Sequence, residues 1–317
     1  MSTGGVGLGI CLDDIEIERL VGGPPRLTLD EIVNHPRLPA ARKLYLDRFL
    51  AIYGDDPFLV RLLIESGRFL VYQVTVVLEA AQDPDRPETW LTVSLLKRKM
   101  AMFGLASGRH IDELLTRLRA VGYMEAQRSE QDRRLIILKP TEALRAHDRD
   151  WLAAHYAPLT VLYPQHDYGL VMRGDRRFQA AHRRACMPLL PLGARLILAV
   201  SDMLLFLNHA AGYPVIASLL QAAMADPDRP HAAVPYGDVG DRFGVSRTHV
   251  RKLLETAEEA GLVKLHERGG HRVEILPRLW ASHDRGIAGG MYGHDLAYLA
   301  AMRTYLAESE PQSARRA

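Results

Sequence analysis

Residues 107–124, SGRHIDELLTRLRAVGYM, and residues 246–263, SRTHVRKLLETAEEAGLV, align without a gap. Ser107 and Ser246, His110 and His249, Ile111 and Val250, the pairs Leu114-Leu115 and Leu253-Leu254, and Gly122 and Gly261 all stand 139 positions apart. Upstream of both, DPDRP occurs at Asp83–Pro87 and again at Asp226–Pro230, each time after a long apolar stretch. Phe103-Gly104-Leu105 and Phe243-Gly244-Val245 then precede the two serines. A pentapeptide followed by the same helical pattern in the same order indicates a duplicated unit.

The second copy shows what the unit is. Val239, Phe243, Val245, Val250, Leu253, Leu254 and Ala257 recur at helical spacing, broken at Gly244, where a tight turn needs a residue that tolerates positive φ. Ser246 is placed to cap a second helix with Arg247, Thr248 and His249 in its first turn. Gly261 stops that helix, and strands are expected over Leu262–Leu265 and Arg272–Leu276, around the turn Glu267-Arg268-Gly269-Gly270. A helix-turn-helix followed by a hairpin is a winged helix. In the first copy Thr92 caps a helix carrying Lys97, Arg98 and Lys99, and Ser107 caps the next, with Ile111, Leu114, Leu115 and Leu118 inward and Arg109, His110, Glu113 and Arg117 outward. Strands follow at Met124–Arg128 and Arg134–Leu138. The expected architecture is mainly α with small β-wings: two winged helix-turn-helix units in one chain, a pseudo-dimer, joined by helices.

The stretch 104–144, with Asp132-Arg133-Arg134 in its wing and Thr141 opening the next helix, resembles the recognition helix and wing of the MarR family of transcription regulators. Ser129, Glu130 and Gln131 stand where that family carries a wing acid, Pro and Arg. The second unit, with FGVSRTHVRKLL and ERGGHRVEI, is similar to the GntR-type winged helix. The resemblance implies recognition helices in major grooves and wing arginines, here Arg133 or Arg134, reaching a minor groove. It also implies dimers built from terminal helices, and ligands held between winged helix and dimer helices, here residues 55–80 and 145–165, where no convergent polar group names a ligand.

Charge and composition fit this reading. The chain has 317 residues, 48% hydrophobic and 25% charged, an average globular balance suited to two domains. Its net charge of only +2 hides an uneven distribution. Residues 92–139 hold ten Lys or Arg against five Asp or Glu, 173–184 five against one, 238–272 seven against six, and 1–60 six against nine. The first unit should therefore supply most of the phosphate affinity. Charged residues on a helix are more often simply solvated, and Glu113 more naturally pairs with Arg109 or Arg117 than reads a base. Residues 1–25, Gly-rich and then acidic, are expected to be disordered. A helix capped at Thr28 should end before Pro36, and residues 40–82 should form two helices. The expected divisions are 26–150 for the first unit, 151–190 for a basic helical connector, 191–280 for the second unit and 281–317 for a C-terminal helix and tail.

Other chemistries find little in the sequence. Two distant cysteines, Cys11 and Cys186, make neither a disulfide framework nor a CxxC motif. The thirteen histidines include no HExxH and no ligand-spaced His/Cys group, so no metal or cofactor is expected. No GxSxG, P-loop or paired-carboxylate motif points to an enzyme, and GGVGLG at the start neither follows a strand nor opens a helix. The apolar stretch 186–208 is broken by Arg195 and Asp202, so a core helix and no membrane span is expected, in a cytoplasmic, nucleoid-associated protein.

The expected function is sequence-specific double-stranded DNA binding that regulates transcription. Ser107, Arg109, His110, Arg117, Ser246, Arg247, Thr248, Arg251 and Lys252 would serve the recognition helices, and Arg133, Arg134, Arg268 and Arg272 the wings. A plasmid-type replication initiator and a winged-helix protein-interaction module are the alternatives. Leu296, Leu299, Met302 and Leu306 offer one face of the last helix either to its own chain or to a homodimer.

Overall fold

Serine, threonine and aspartate caps and left-handed glycines set the helix limits. The computed structural model describes residues 14–53, 57–63, 67–225 and 231–309. A first set of elements runs α1 (Asp14–Val21), α2 (Leu29–Val33), α3 (Leu38–Tyr53), α4 (Pro57–Leu63), α5 (Arg68–Ala80), α6 (Val93–Met100), α7 (Gly108–Ala120), β1 (Met124–Arg128), β2 (Ile136–Pro140) and α8 (Glu142–Leu162). A second runs α9 (Gly169–Met172), α10 (Arg176–Leu198), α11 (Ser201–Leu207), α12 (Gly212–Ala225), β3 (His231–Ala232), α13 (Tyr236–Phe243), α14 (Arg247–Glu259), β4 (Val263–Glu267), β5 (Arg272–Ile275) and α15 (Pro277–Ser309). The result is mainly helical with two small antiparallel sheets.

The caps fall where their chemistry demands. Thr28 and Glu31 form a reciprocal capping box on α2, and Thr92, Ser107, Asp175 and Ser246 each accept an N–H of the first turn of α6, α7, α10 and α14. Gly104 (φ 66°) and Gly244 (φ 69°) turn the chain before α7 and α14 in a conformation that favours glycine. Thr141 precedes α8, but its hydroxyl donates to the Gly122 carbonyl at 2.7 Å and does not cap the helix.

In the first hairpin β1 pairs with β2, Ala126 opposite Leu138. In the second the order is β3-β5-β4, and β3 has a rudimentary counterpart in Leu91, whose carbonyl accepts from Leu138 N at 2.8 Å. The strand expected over 134–138 lies at 136–140. Ser129 Oγ accepts from Gln131 N and Asp132 N, and Asp132 Oδ1 from Arg134 N, which draws residues 129–135 into the tip. In the second hairpin β4 runs on to Glu267.

The two element sets pack as exchanged copies. α3 lies along α8 as α10 lies along α15. α5 packs on α10 as α12 packs on α3, and α2 on α15 as α9 on α8. Each copy thus covers apolar faces of the other, and one continuous core runs through both, from Leu46 and Tyr72 to Phe206 and Leu254.

Besides Arg26–Asp295, two arginine–aspartate pairs in equivalent places cross between the copies. Arg183 on α10 donates through Nε to Asp148 Oδ2 on α8 at 3.0 Å and through a second nitrogen to Oδ1, with Gln179 Nε2 also on Oδ2 at 2.7 Å. Arg183 is 4% and Asp148 0% exposed, so the pair is sealed from water. Arg42 on α3 meets Asp284 on α15 at 2.7 Å in the equivalent place. Each guanidinium also lies over an indole, Arg183 over Trp151 and Arg42 over Trp280.

Several expectations are corrected. Residues 14–21 form α1 instead of extending the disorder expected to residue 25, because Ile17 and Val21, one turn apart, bury against Leu189, Leu192 and Leu296. Residues 1–13, the break at 54–56, the second DPDRP and the tail after Ser309 lie outside the described residues. Three helices, not two, occupy 38–80. The boundaries expected at 150/151, 190/191 and 280/281 each fall inside a helix (α8, α10 and α15), so the basic connector is a central core element. Of its arginines Arg183 is buried as above, Arg184 pairs with Glu308 and Arg176 with Glu142 at the surface, and Arg173 and Arg177 are exposed. The face of α15 bearing Leu296 and Leu299 is covered by the chain's own α1 and α10, and only Leu306 remains exposed. No single helix among the described residues is long and apolar enough to cross a membrane. α10 and α11 together have the length but bend by 97° at their junction.

Removing one member of a sealed pair leaves a buried charge without its partner. Asp148→Ala should cost about 3–5 kcal/mol, read as a lower urea midpoint. Asp148→Leu combined with Arg183→Met should restore much of it. An unchanged midpoint in the single variant would contradict the role given to the pair.

Candidate nucleic-acid interface

α7 and α14 are built alike. Ser107 Oγ accepts from His110 N at 3.2 Å and Ser246 Oγ from His249 N at 3.1 Å. Ile111, Leu114, Leu115 and Leu118 are buried, as are Val250, Leu253, Leu254 and Ala257 139 positions later. Amphipathic spacing therefore turns the opposite face of each helix to solvent. On α7 this face carries Ser107, Arg109 and Arg117, and on α14 Ser246, Arg247, Thr248, Arg251 and Lys252. Arg109 is 89% exposed and held by Glu113 at 2.9 Å, the i,i+4 pair the sequence suggested. Arg251 lies 3.8 Å from Glu255 in the same arrangement.

The two histidines face the other way. His110 Nε2 accepts from Arg68 Nε on α5 at 3.2 Å, and His249 Nε2 contacts the Ala210 carbonyl at 2.8 Å. His110, expected at the DNA face, instead ties the first turn of α7 to its own bundle, and its equivalent ties α14. Lys97, on the supporting helix α6, is drawn to Asp112 on α7 at 2.7 Å.

At the first hairpin tip, the turn that Ser129 and Asp132 build leaves Arg133 and Arg134 exposed. Arg128 donates to the Arg133 carbonyl at 2.9 Å, which stiffens the tip. In the second hairpin Arg272 is exposed, and the side chain of Arg268 lies outside the described ones.

A second feature lies between the copies. A cavity of about 310 Å³ is walled by α3, α5, α8, α10, α11, α12 and α15, with Phe69, Trp151, His155, Ile197 and His294 among its lining residues. Its opening depends on α15, where Gly286, Gly289, Gly290 and Gly293 fall on one helix face and line it. Counting from the shared His-Asp-Arg of the two helices (147–149 and 283–285), α8 carries Asp150, Ala153, Ala154 and Ala157 at these positions. Glycine inside a helix costs roughly 0.5–1 kcal/mol relative to alanine. Four of them on one face exchange stability for space.

The polar groups around this cavity are neutral. Burial pushes the His155 imidazole down to about 3, holds His283 below and His294 well below the usual histidine value, and lifts the Tyr45 phenol to about 12. Burial alone would lower the Arg183 guanidinium, but Asp148 holds it above its ordinary value. The cavity thus offers aromatic and aliphatic walls with weak hydrogen-bonding groups, and the one charge at its edge is already compensated. Sequence reasoning missed it because its walls come from seven helices spread along the chain. The glycine run of α15 is the local signal that marks it.

No protein-family model, curated protein or solved structure matches this chain.

The buried histidines set a pH response. His147, His155, His182, His283 and His294 all have values lowered by burial, so folded they stay neutral where the unfolded chain binds protons. Stability is unaffected by them above pH 6.5 or so and falls as pH drops below it, by up to ~1.4 kcal/mol per pH unit per histidine. For His155 the loss continues to about pH 3. Melting temperature should therefore fall between pH 7 and 5.5, and less steeply in His155→Gln. A flat profile over that range would contradict neutral burial.

Proposed function

We propose that the chain binds double-stranded DNA in a sequence-specific manner and regulates transcription, each half contributing a winged helix-turn-helix. The observation that carries this reading is the repeated unit itself: a glycine turn, a serine-capped helix with an exposed arginine in its first turn, and a hairpin, built twice. Such a helix can enter a major groove while a hairpin follows the adjacent backbone. Arg109, Arg117, Arg247, Thr248, Arg251 and Lys252 are the contacts expected on the helices, and Arg133, Arg134 and Arg272 on the hairpins. Ser107 and Ser246 act by capping, which leaves N–H groups at the helix starts for phosphate. No enzymatic role is proposed.

The glycine-lined cavity favours a ligand-responsive form of this function. We read it as a site for a neutral, mainly aromatic or aliphatic small molecule, since a charged ligand would find no unpaired partner among the groups described above. Because α5, α10 and α15 all wall it, occupancy would bear on how the two copies are set against each other. Indole is a suitable probe: it should raise the melting temperature of the wild-type chain and not that of Gly290→Leu.

Selection of random duplexes by the purified protein tests the main reading. One enriched motif with paired half-sites about 10 base pairs apart, or a multiple, is expected. If six to ten phosphates are engaged, affinity should fall about 10³–10⁵-fold between ~50 and ~200 mM salt. Arg109→Ala with Arg247→Ala should weaken binding and flatten the salt dependence. Clustered direct repeats would favour a replication initiator. No enrichment at low salt would overturn DNA binding and leave a protein-interaction module.

A further inference from the structure

The second hairpin carries a side-chain set that the first lacks. His231 on β3, His266 on β4 and Glu274 on β5 bring two imidazoles and a carboxylate together, each with one ligand atom within 4.8 Å of the others. His266 Nε2 lies 2.7 Å from Glu274 Oε2, and the two imidazole rings meet edge-on at 4.7 Å. We propose that these three residues form a binding site for a divalent transition-metal cation of the zinc type.

The backbone places the ligands. β5 is the middle strand, and His231 stands directly opposite Glu274, so both side chains project from one face. On the other side the register steps from Leu265↔Val273 to Glu267↔Arg272, which leaves His266 as the extra residue of a bulge. A bulge re-aims a side chain, and here it brings His266 to the Glu274 carboxylate. The scaffold does not require this set. The position equivalent to His266 in the first hairpin, 139 residues earlier, is Gln127, which accepts from Lys139.

Two imidazoles and a carboxylate are the donor set of three-ligand zinc sites, which leave a fourth position for water. Magnesium and calcium need oxygen donors and should not compete. Lys264 stands opposite Glu274 in register, but it is exposed on a long side chain and can move away from an arriving cation. β3 is held to the sheet through only two residue pairs, so a bound ion would fasten it to β4 across β5. Sequence spacing hides the site because each ligand comes from a different strand.

Calorimetric titration of the full chain with zinc chloride, in buffer containing excess magnesium, tests the proposal. One-to-one binding is expected, weakened at least tenfold in His266→Ala and in Glu274→Gln. Zinc should also slow hydrogen exchange at residues 231–234 and 263–275 in the wild type only. Thermal melts of both variants in the absence of metal check that they fold. Equal isotherms for wild type and the two folded variants would overturn the site, as would the absence of stoichiometric binding to the wild type. These outcomes read metal binding itself and do not depend on whether the chain binds DNA.

Discussion

The exchange of covering helices between the two copies is the constraint on which the rest of the structure depends. α5 and α12 each precede a pair of short helices joined at a left-handed glycine, and each packs on the long helix of the opposite copy, α10 and α3 respectively. Neither copy separates from the other without uncovering an apolar face. The buried Arg183–Asp148 pair and its counterpart Arg42–Asp284 lie across the same join. A sealed ion pair contributes little net stability against an apolar replacement, but it tolerates few alternative alignments. Two pairs in equivalent places, one sealed and one part-buried, therefore bear on the alignment of the copies more than on their total stability.

The copies have diverged where the cavity lies. Both long C-terminal helices, α8 and α15, carry the same His-Asp-Arg tripeptide in their second turn and use its aspartate in the cross-copy ion pair. Beyond it α8 carries alanines and α15 glycines, and the space opens beside α15. The missing Cβ atoms alone would not keep a cavity of this size open. The stack of Trp151 on His155, with ring centroids 3.6 Å apart, lines the same space and packs edge-on against His294 of α15.

Local chemistry was legible in the sequence wherever a single side chain decides an outcome. The caps at Thr28, Thr92, Ser107 and Ser246, the turns at Gly104 and Gly244, the buried stripes of α7 and α14 and the Arg109–Glu113 pair follow from spacing alone. What was not legible depended on partners distant in the chain. Residues 173–184 read as a basic connector because their charge is visible, whereas Asp148, Glu142 and Glu308, which compensate it, are far away in sequence. Residues 14–21 read as disordered because a short acidic segment has no partner nearby, and its partners are Leu189, Leu192 and Leu296. Thr141 opens α8 as its position suggests, but its hydroxyl donates to the Gly122 carbonyl and does not cap the helix. Both strands of the first hairpin were found, with β2 displaced by the hydrogen bonds of a tip that sequence propensity does not encode.

The duplication also separates folding from recognition at individual positions. Residues identical in the two copies, Ser107 and Ser246, His110 and His249, and the leucine pairs, are all occupied with caps, clamps or core contacts. The exposed positions between them differ: Gly108 faces Arg247 in the alignment, Arg109 faces Thr248, Asp112 faces Arg251, and Glu113 faces Lys252. At these last two pairs the charge is reversed. A pseudo-symmetric scaffold thus presents two unlike surfaces. If both helices enter grooves of one duplex, base edges that suit Arg109 beside Glu113 will not suit Thr248 beside Arg251, because hydrogen-bonding patterns in the major groove distinguish the four base pairs. The two half-sites would then be unrelated in sequence although equivalent in spacing, an arrangement that a symmetric homodimer of one such unit could not read.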